Sequence, residues 1–254
     1  DLDDNTIKDV AERIGDAQEV LKSKQFPFRF LSAYRELKTV CNGKVPIIMD
    51  SLEDAVQASA QNIKGFRKET RVLLACDVSG SMYTPISPKS SVKNYDIGLV
   101  LAMLLRNRCE NVVTGIFGDT WKAVAMPLRG ILSNVEQMYK REGEVGYSTN
   151  GYKVIEYLRN KSIQMDKVMM FTDCQMWNSY GSGQTIQSEW KKYKEIAPKA
   201  KLYLFDLNGY GQSPLNLADN DVVLIAGWSD RVFDMLDAIE QGGNVLAKIK
   251  EIEL

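Results

Sequence analysis

The chain has 254 residues, with 32 Lys and Arg against 33 Asp and Glu, a formal charge of −1, 44% hydrophobic residues, four cysteines and no histidine. That length can bury a core, and a balanced charge exerts no global pull on nucleic acid or membrane, so either partner would need a local patch. The missing histidine excludes Ser-His-Asp and Cys-His nucleophiles, histidine acid–base chemistry and imidazole zinc sites, so any metal must be held by oxygen or thiolate.

In chain order, residues 1 to about 66 read as helical. Ile7, Val10, Ile14, Ala17 and Leu21 form one apolar stripe, and 30–41 and 47–65 look like two further helices. Charge is uneven here: 1–21 carries seven acids and two bases, whereas 22–44 carries six bases and Glu36 alone. Phe26, Phe28, Phe30 and Tyr34 are interleaved with those bases. The stretch suits RNA contact through Lys22, Lys24, Arg29, Arg35 and Lys38 with aromatic stacking. It equally suits a helix whose aromatics are core and whose bases are solvated.

From about Arg71 onward, strand-length apolar runs alternate with helical stretches. Val72 to Cys76 is a continuous apolar run, the pattern of a strand buried on both faces. Ile97, Val100, Leu101, Leu104 and Leu105 follow at helical spacing, with Asn94 as the expected N-cap. Val112 to Phe117 and Trp121 to Leu128, joined by Gly118-Asp119-Thr120, read as a hairpin, with Asp119 a turn residue. Helices are expected near 130–141, 150–161 and 184–196, and one around Val232, Met235, Leu236 and Ile239. Strands are expected at Lys167–Thr172, Leu202–Leu207 and Val222–Ala226. The order implies an α/β fold, a doubly wound and mostly parallel six-stranded sheet over 69–254, preceded by a helical segment over 1–68. Ligands would then bind beyond the carboxyl ends of the strands.

Cys41, Cys76, Cys109 and Cys174 have no Cys-x-x-Cys spacing and read as free thiols, which implies a reducing, cytoplasmic setting. No apolar stretch approaches the roughly 18 residues of a membrane span, so no membrane partner is expected. The chain begins Asp-Leu-Asp-Asp without methionine, as expected of a fragment or processed product.

The chemistry-bearing motif is Asp77-Val-Ser79-Gly-Ser81-Met82 at the end of the first strand. A carboxylate and two hydroxyls at alternate positions can converge on one point, and Gly80 permits the tight turn. Two later loops at the same sheet edge hold Thr149 and Asp173. Small, hard oxygen ligands of this kind suit Mg2+, or another divalent cation such as Mn2+ or Ca2+. With no imidazole in the set, the ligands should lose charge only in acid. Met176, Trp177 and Tyr180, just past Asp173, suit a partner interface or core packing equally. Cys174 lacks an activating base, and no Gly-x-x-x-x-Gly-Lys-Ser/Thr loop is present, so no enzymatic activity is expected.

On these residues the 71–243 portion resembles a von Willebrand factor A domain, and Asp77, Ser79, Ser81, Thr149 and Asp173 resemble its metal-ion-dependent adhesion site. The resemblance implies hydroxyl donation by Ser79, Ser81 and Thr149, with Asp77 and Asp173 coordinating directly or through water, and an acidic protein ligand at the open position. Two departures stand out: a long loop from Tyr83 to Lys93, able to cover or reshape the site, and Ser148 beside Thr149, which leaves the metal-facing hydroxyl open. Phe26 to Lys38 is similar to the tail of the TROVE domain in the Ro autoantigen family. That resemblance implies a role in small noncoding or misfolded RNA binding and RNA quality control for the full-length protein. The alternative is an A domain serving protein–protein assembly or adhesion with no RNA role.

Overall fold

The computed structural model describes residues 3–23, 25, 27–61, 63, 66–175, 184–209, 213–217, 221–229 and 232–241. Six strands form one sheet: β1 (Arg71–Asp77), β2 (Asn111–Phe117), β3 (Trp121–Ala123), β4 (Lys167–Thr172), β5 (Lys201–Asp206) and β6 (Val222–Ala226). Their order is β3-β2-β1-β4-β5-β6, with β3 antiparallel to β2 and every other neighbouring pair parallel. This is the doubly wound α/β arrangement the alternation of elements predicts. The alternation of side chains along β1 shows why the run is continuously apolar. Val72, Leu74 and Cys76 enter one core, and Leu73 and Ala75 enter the other.

The hairpin forms as expected, but β3 is shorter than the sequence suggested. Val124 still donates its N–H to the Thr114 carbonyl at 2.9 Å. Beyond it Pro127 has no N–H to offer, and Gly130, at φ 72°, turns the chain into helix α6 (Ile131–Tyr139).

On one face, helix α5 (Asn94–Arg108) packs against β1 and β4 with every residue from Asn94 to Leu105 buried. The reason is that two of four N-terminal helices, α3 (Pro27–Lys38) and α4 (Val45–Ala60), lie over it, while α1 (Asp4–Gly15) and α2 (Ala17–Ser23) pack on α4 in turn. The single stripe expected over 7–21 is in fact two helices, because Asp16 is extended and its Oδ1 accepts the Glu19 N–H at 2.8 Å. Leu31, Leu52, Val56, Ala60 and Ile63 belong to the same apolar cluster as Val72, Leu74 and Leu104, so helices and sheet share one core. The opposite face is covered by α7 (Tyr152–Asn160) and α8 (Ile186–Tyr193), while α9 (Val232–Glu240) adds Val232, Phe233 and Leu236 to the α5 side.

Polar groups pin this seam. The Arg35 guanidinium grips the fully buried Asp96 carboxylate with two hydrogen bonds of 2.7 Å and also reaches Glu136 at 2.7 Å. Glu53 of α4 accepts the Leu132 and Ser133 N–H groups at 3.0 and 2.7 Å, placing a carboxylate on the α6 N-terminus. At the start of α5 the cap lies one residue before the expected Asn94: Asp96 accepts the Lys93 N–H at 2.8 Å.

Candidate metal centre

The strand order reverses between β1 and β4, and the loops leaving their carboxyl ends flank the crevice where such sheets bind ligands. Asp77 closes β1 and is buried. Its Oδ1 accepts the Ser79 N–H at 2.8 Å and its Oδ2 accepts the Thr172 hydroxyl at 2.6 Å. The Ser79 and Ser81 hydroxyls approach to 3.3 Å, so the alternate-position motif does converge. Ser81 sits on a single 3₁₀ turn, Gly80–Tyr83, which carries the chain out of the strand.

Asp173, directly after β4, is equally buried. Its Oδ1 accepts the Gln175 N–H at 3.2 Å, whereas Oδ2 is buried with no hydrogen-bond partner among the described residues. An orphaned carboxylate oxygen in a buried site is costly unless a cation or donor meets it. Thr149 completes the set: its loop is bonded to the motif by Gly80 N–H to the Tyr147 carbonyl at 2.9 Å, and Thr149 is buried while Ser148 is exposed. That difference encloses Thr149 within the fold and leaves Ser148 at the surface. Among the described residues no three Asp, Glu or Cys side chains cluster as a metal site, so the donor set depends on hydroxyls.

Two residues that sequence reasoning left out or undervalued hold this set in place, and a third lies at the next strand end. Thr172 fixes Asp77 through its hydroxyl, which also accepts the Cys174 N–H at 3.1 Å. Asp119, read as a turn residue, accepts the Ser148 N–H at 2.7 Å, and its carbonyl accepts the Asn150 amide at 3.1 Å. Those bonds hold the Asp119 carboxyl below its usual range. Asp206, at the end of β5, is a further fully buried carboxylate and accepts the Gly209 N–H at 3.1 Å. A polar residue ending β1, β4 and β5 was the available signal.

Burial is the main influence on Asp77. It raises the carboxyl to about 7, against the lowering effect of the Thr172 and Ser79 bonds, and the neighbouring Asp173 charge adds to the rise. At Asp77 in the metal-free protein the proton therefore competes near neutrality, above the acid range expected of the set. Burial, with Asp206 and Asp173 beside it, also pushes the Cys174 thiol up, away from thiolate chemistry.

The long loop after the motif is tied back on itself. Pro85 bridges to Lys93, and Ile86 N–H donates to the Val92 carbonyl at 3.0 Å. Lys93 Nζ then lies 5.1 and 5.0 Å from the Tyr83 and Tyr139 ring centres, anchoring the loop toward α6.

The basic-aromatic stretch divides differently from the RNA-contact expectation. Arg35 is instead spent on Asp96 and Glu136, and Lys38 donates to Glu136 at 2.7 Å. Phe28, Phe30 and Tyr34 pack on the core. Arg29 is exposed, and Lys22 is exposed with a 3.2 Å contact to Glu19. Lys24 and Phe26 lie outside the described residues, as do Met176, Trp177 and Tyr180.

The Thr149 loop also carries a backbone requirement. Gly146 has φ +79°, and a Cβ there would stand 2.2 Å from the Asp119 carboxyl carbon. Gly146→Ala is therefore expected to cost about 2 kcal/mol. Urea unfolding measures it, and a loss below about 0.5 kcal/mol would show that the loop yields freely.

A profile of the Ro60 vWA domain matches residues 71–239. Among solved structures, the Ro (RSR) protein of Deinococcus radiodurans superposes with a TM-score of 0.69 at 19% identity, covering 94% of this chain and 49% of that one. This chain thus spans about half the length of the Deinococcus protein and shares its fold. An aerotolerance-related membrane protein of Bacteroides fragilis matches with a TM-score of 0.38 at 14% identity, over 72% of this chain and 96% of that one. Proximal thread matrix protein 1 of the mussel byssus matches with a TM-score of 0.41 at 12% identity, over 80% of this chain and 52% of that one. No curated protein matches the chain.

Proposed function

The chain belongs to the Ro60 vWA domain family, and on that premise we propose that it is a non-enzymatic, metal-dependent binding module of a cytoplasmic Ro-like protein acting in small noncoding RNA binding and RNA quality control. Ser79, Ser81 and Thr149 hold a divalent cation, Mg2+ in the first instance, through hydroxyls, with Asp77 and Asp173 balancing its charge. A bound dication with only two carboxylates nearby keeps positive character and an open position for a ligand oxygen. An acidic side chain of a protein partner is the matching group. The observation that carries this reading is the buried Oδ2 of Asp173, unpartnered among the described residues, at the end of the strand neighbouring the one that leads into the converging Ser79 and Ser81 hydroxyls.

One observation argues against RNA contact along α3: Arg35 and Lys38 are consumed by the helix–sheet seam. RNA affinity then belongs chiefly to the complete protein. Its binding to small structured RNAs should weaken steeply with salt, and a salt-independent affinity would remove the RNA role.

The metal claim is tested by calorimetric titration with MgCl2 and MnCl2 at pH 8. Saturable binding at one site is expected, weakened at least about tenfold in Ser79→Ala/Ser81→Ala and in Asp173→Asn. Equal affinity in parent and variants would sink it.

A further inference from the structure

At the amino-terminal end of the strands, opposite the metal loops, a groove of about 720 Å³ runs between α8 and the start of β6. Five lysines fall between 191 and 201, with Glu195 the only acid in that span. Such runs ordinarily radiate into solvent, but here Pro198 turns the chain between α8 and β5. Lys191, Lys194, Lys199 and Lys201 consequently line one concavity, where Asp221 is the single carboxylate among the described residues.

The four ammonium groups are not equivalent. Lys194 is positioned by Asp221 at 2.9 Å and by the Ala200 carbonyl at 2.8 Å, which neutralises the one acid. The Lys201 ammonium turns to Glu240 of α9, where it joins Lys167 on the α5 face of the sheet, and adds no free charge to the groove. Lys191 and Lys199 are exposed and have no ion-pair partner among the described residues. Lys191 and Lys199 therefore leave the groove with an excess of positive charge among the described residues.

We infer that this lysine groove binds the phosphodiester backbone of single-stranded nucleic acid, independently of the metal face. The chemistry favours phosphates read without regard to sequence. Lysine offers point charges rather than the planar fork that selects individual carboxylates or guanine edges. Trp190 on the groove wall is only 4% exposed, and its indole N–H is turned to Asp221 at 3.3 Å, so it offers no stacking platform to a base. Gln187 supplies a neutral amide on the same wall.

The test is fluorescence anisotropy with a labelled oligouridine of about 20 nucleotides, titrated with the whole chain at about 50 and 200 mM salt. Lys191→Glu/Lys199→Glu is expected to weaken binding about tenfold or more at the lower salt. The variant's log–log salt slope should be shallower by about 1.4, the loss of two single-strand phosphate contacts. Its melting temperature should be unchanged, since neither side chain holds the fold. Undiminished binding in the variant, or no binding by the parent at low salt, overturns the inference. So does competition by polyglutamate at equal charge. Loss of binding in Lys22→Glu/Arg29→Glu, with the groove variant intact, would instead assign the contact to α2 and α3. Because the probe is added without divalent metal, failure here leaves the metal-centre reading to its own titration.

Discussion

Replacing Arg35 with alanine is expected to destabilise the chain by roughly 3–5 kcal/mol, the scale for removing one partner of a buried ion pair. The Asp96 side chain is fully buried and Arg35 is only 15% exposed, so the carboxylate would remain inside the protein without its cation. Glu136 would lose one of its two cations in the same step. Lysine should rescue little, since a point charge cannot reproduce the paired bonds to both Asp96 oxygens. Urea unfolding of Arg35→Ala, Asp96→Ala and the double variant measures the effect. A strong coupling is expected, the double variant costing clearly less than the two singles summed. Additive losses would mean that the two groups act separately.

The second large effect concerns Asp77 and pH. Its folded-state carboxyl is raised from 3.8 to about 7, chiefly by burial. Below about pH 4 both folded and unfolded states carry the proton, and nothing is lost. Between pH 4 and 7 the unfolded chain releases it while the folded chain retains it, so the metal-free protein loses stability as pH rises. The loss reaches at most about 4 kcal/mol and is complete above pH 7. A divalent cation at this site favours the carboxylate, so the stabilisation it provides should grow from pH 5.5 to pH 8. Asp77→Asn should flatten the metal-free profile and abolish the metal-dependent gain. Thermal melts with EDTA or MgCl2 across that range check both. A parent protein whose metal-dependent shift stays constant with pH would refute the linkage.

Much of this architecture was legible in residue order, because buried parallel strands and their polar ends leave strong local marks. Val72 to Cys76 followed by Asp77 states both a strand and the start of a site, and Lys167 to Thr172 followed by Asp173 repeats it. The convergence of Ser79 with Ser81 follows from alternation and a glycine turn. What alternation cannot show is the partner of a polar group. Arg35 looks like a solvated base until Asp96, 61 residues later, is brought against it. Asp119 looks like hairpin punctuation until the Thr149 loop folds back onto it. The rise in Asp77 likewise reflects enclosure by the whole fold rather than any neighbour in sequence. The break at Asp16 was missed for a different reason: the apolar stripe continues across it, and one capping carboxylate outweighed the periodicity.

The burial of α5 on all sides bears on how such a protein can change over generations. A helix with one wet face tolerates drift there, and the domain carrying it can be moved between proteins as a self-contained module. Here Leu99, Ala102 and Met103 lie buried along with the residues that face the sheet. Leu31, Leu52 and Val56 from the overlying helices complete that enclosure. A substitution on either side of the seam therefore alters the fit of the other. The helices and the sheet are thereby coupled through one core, so that the seam constrains both together.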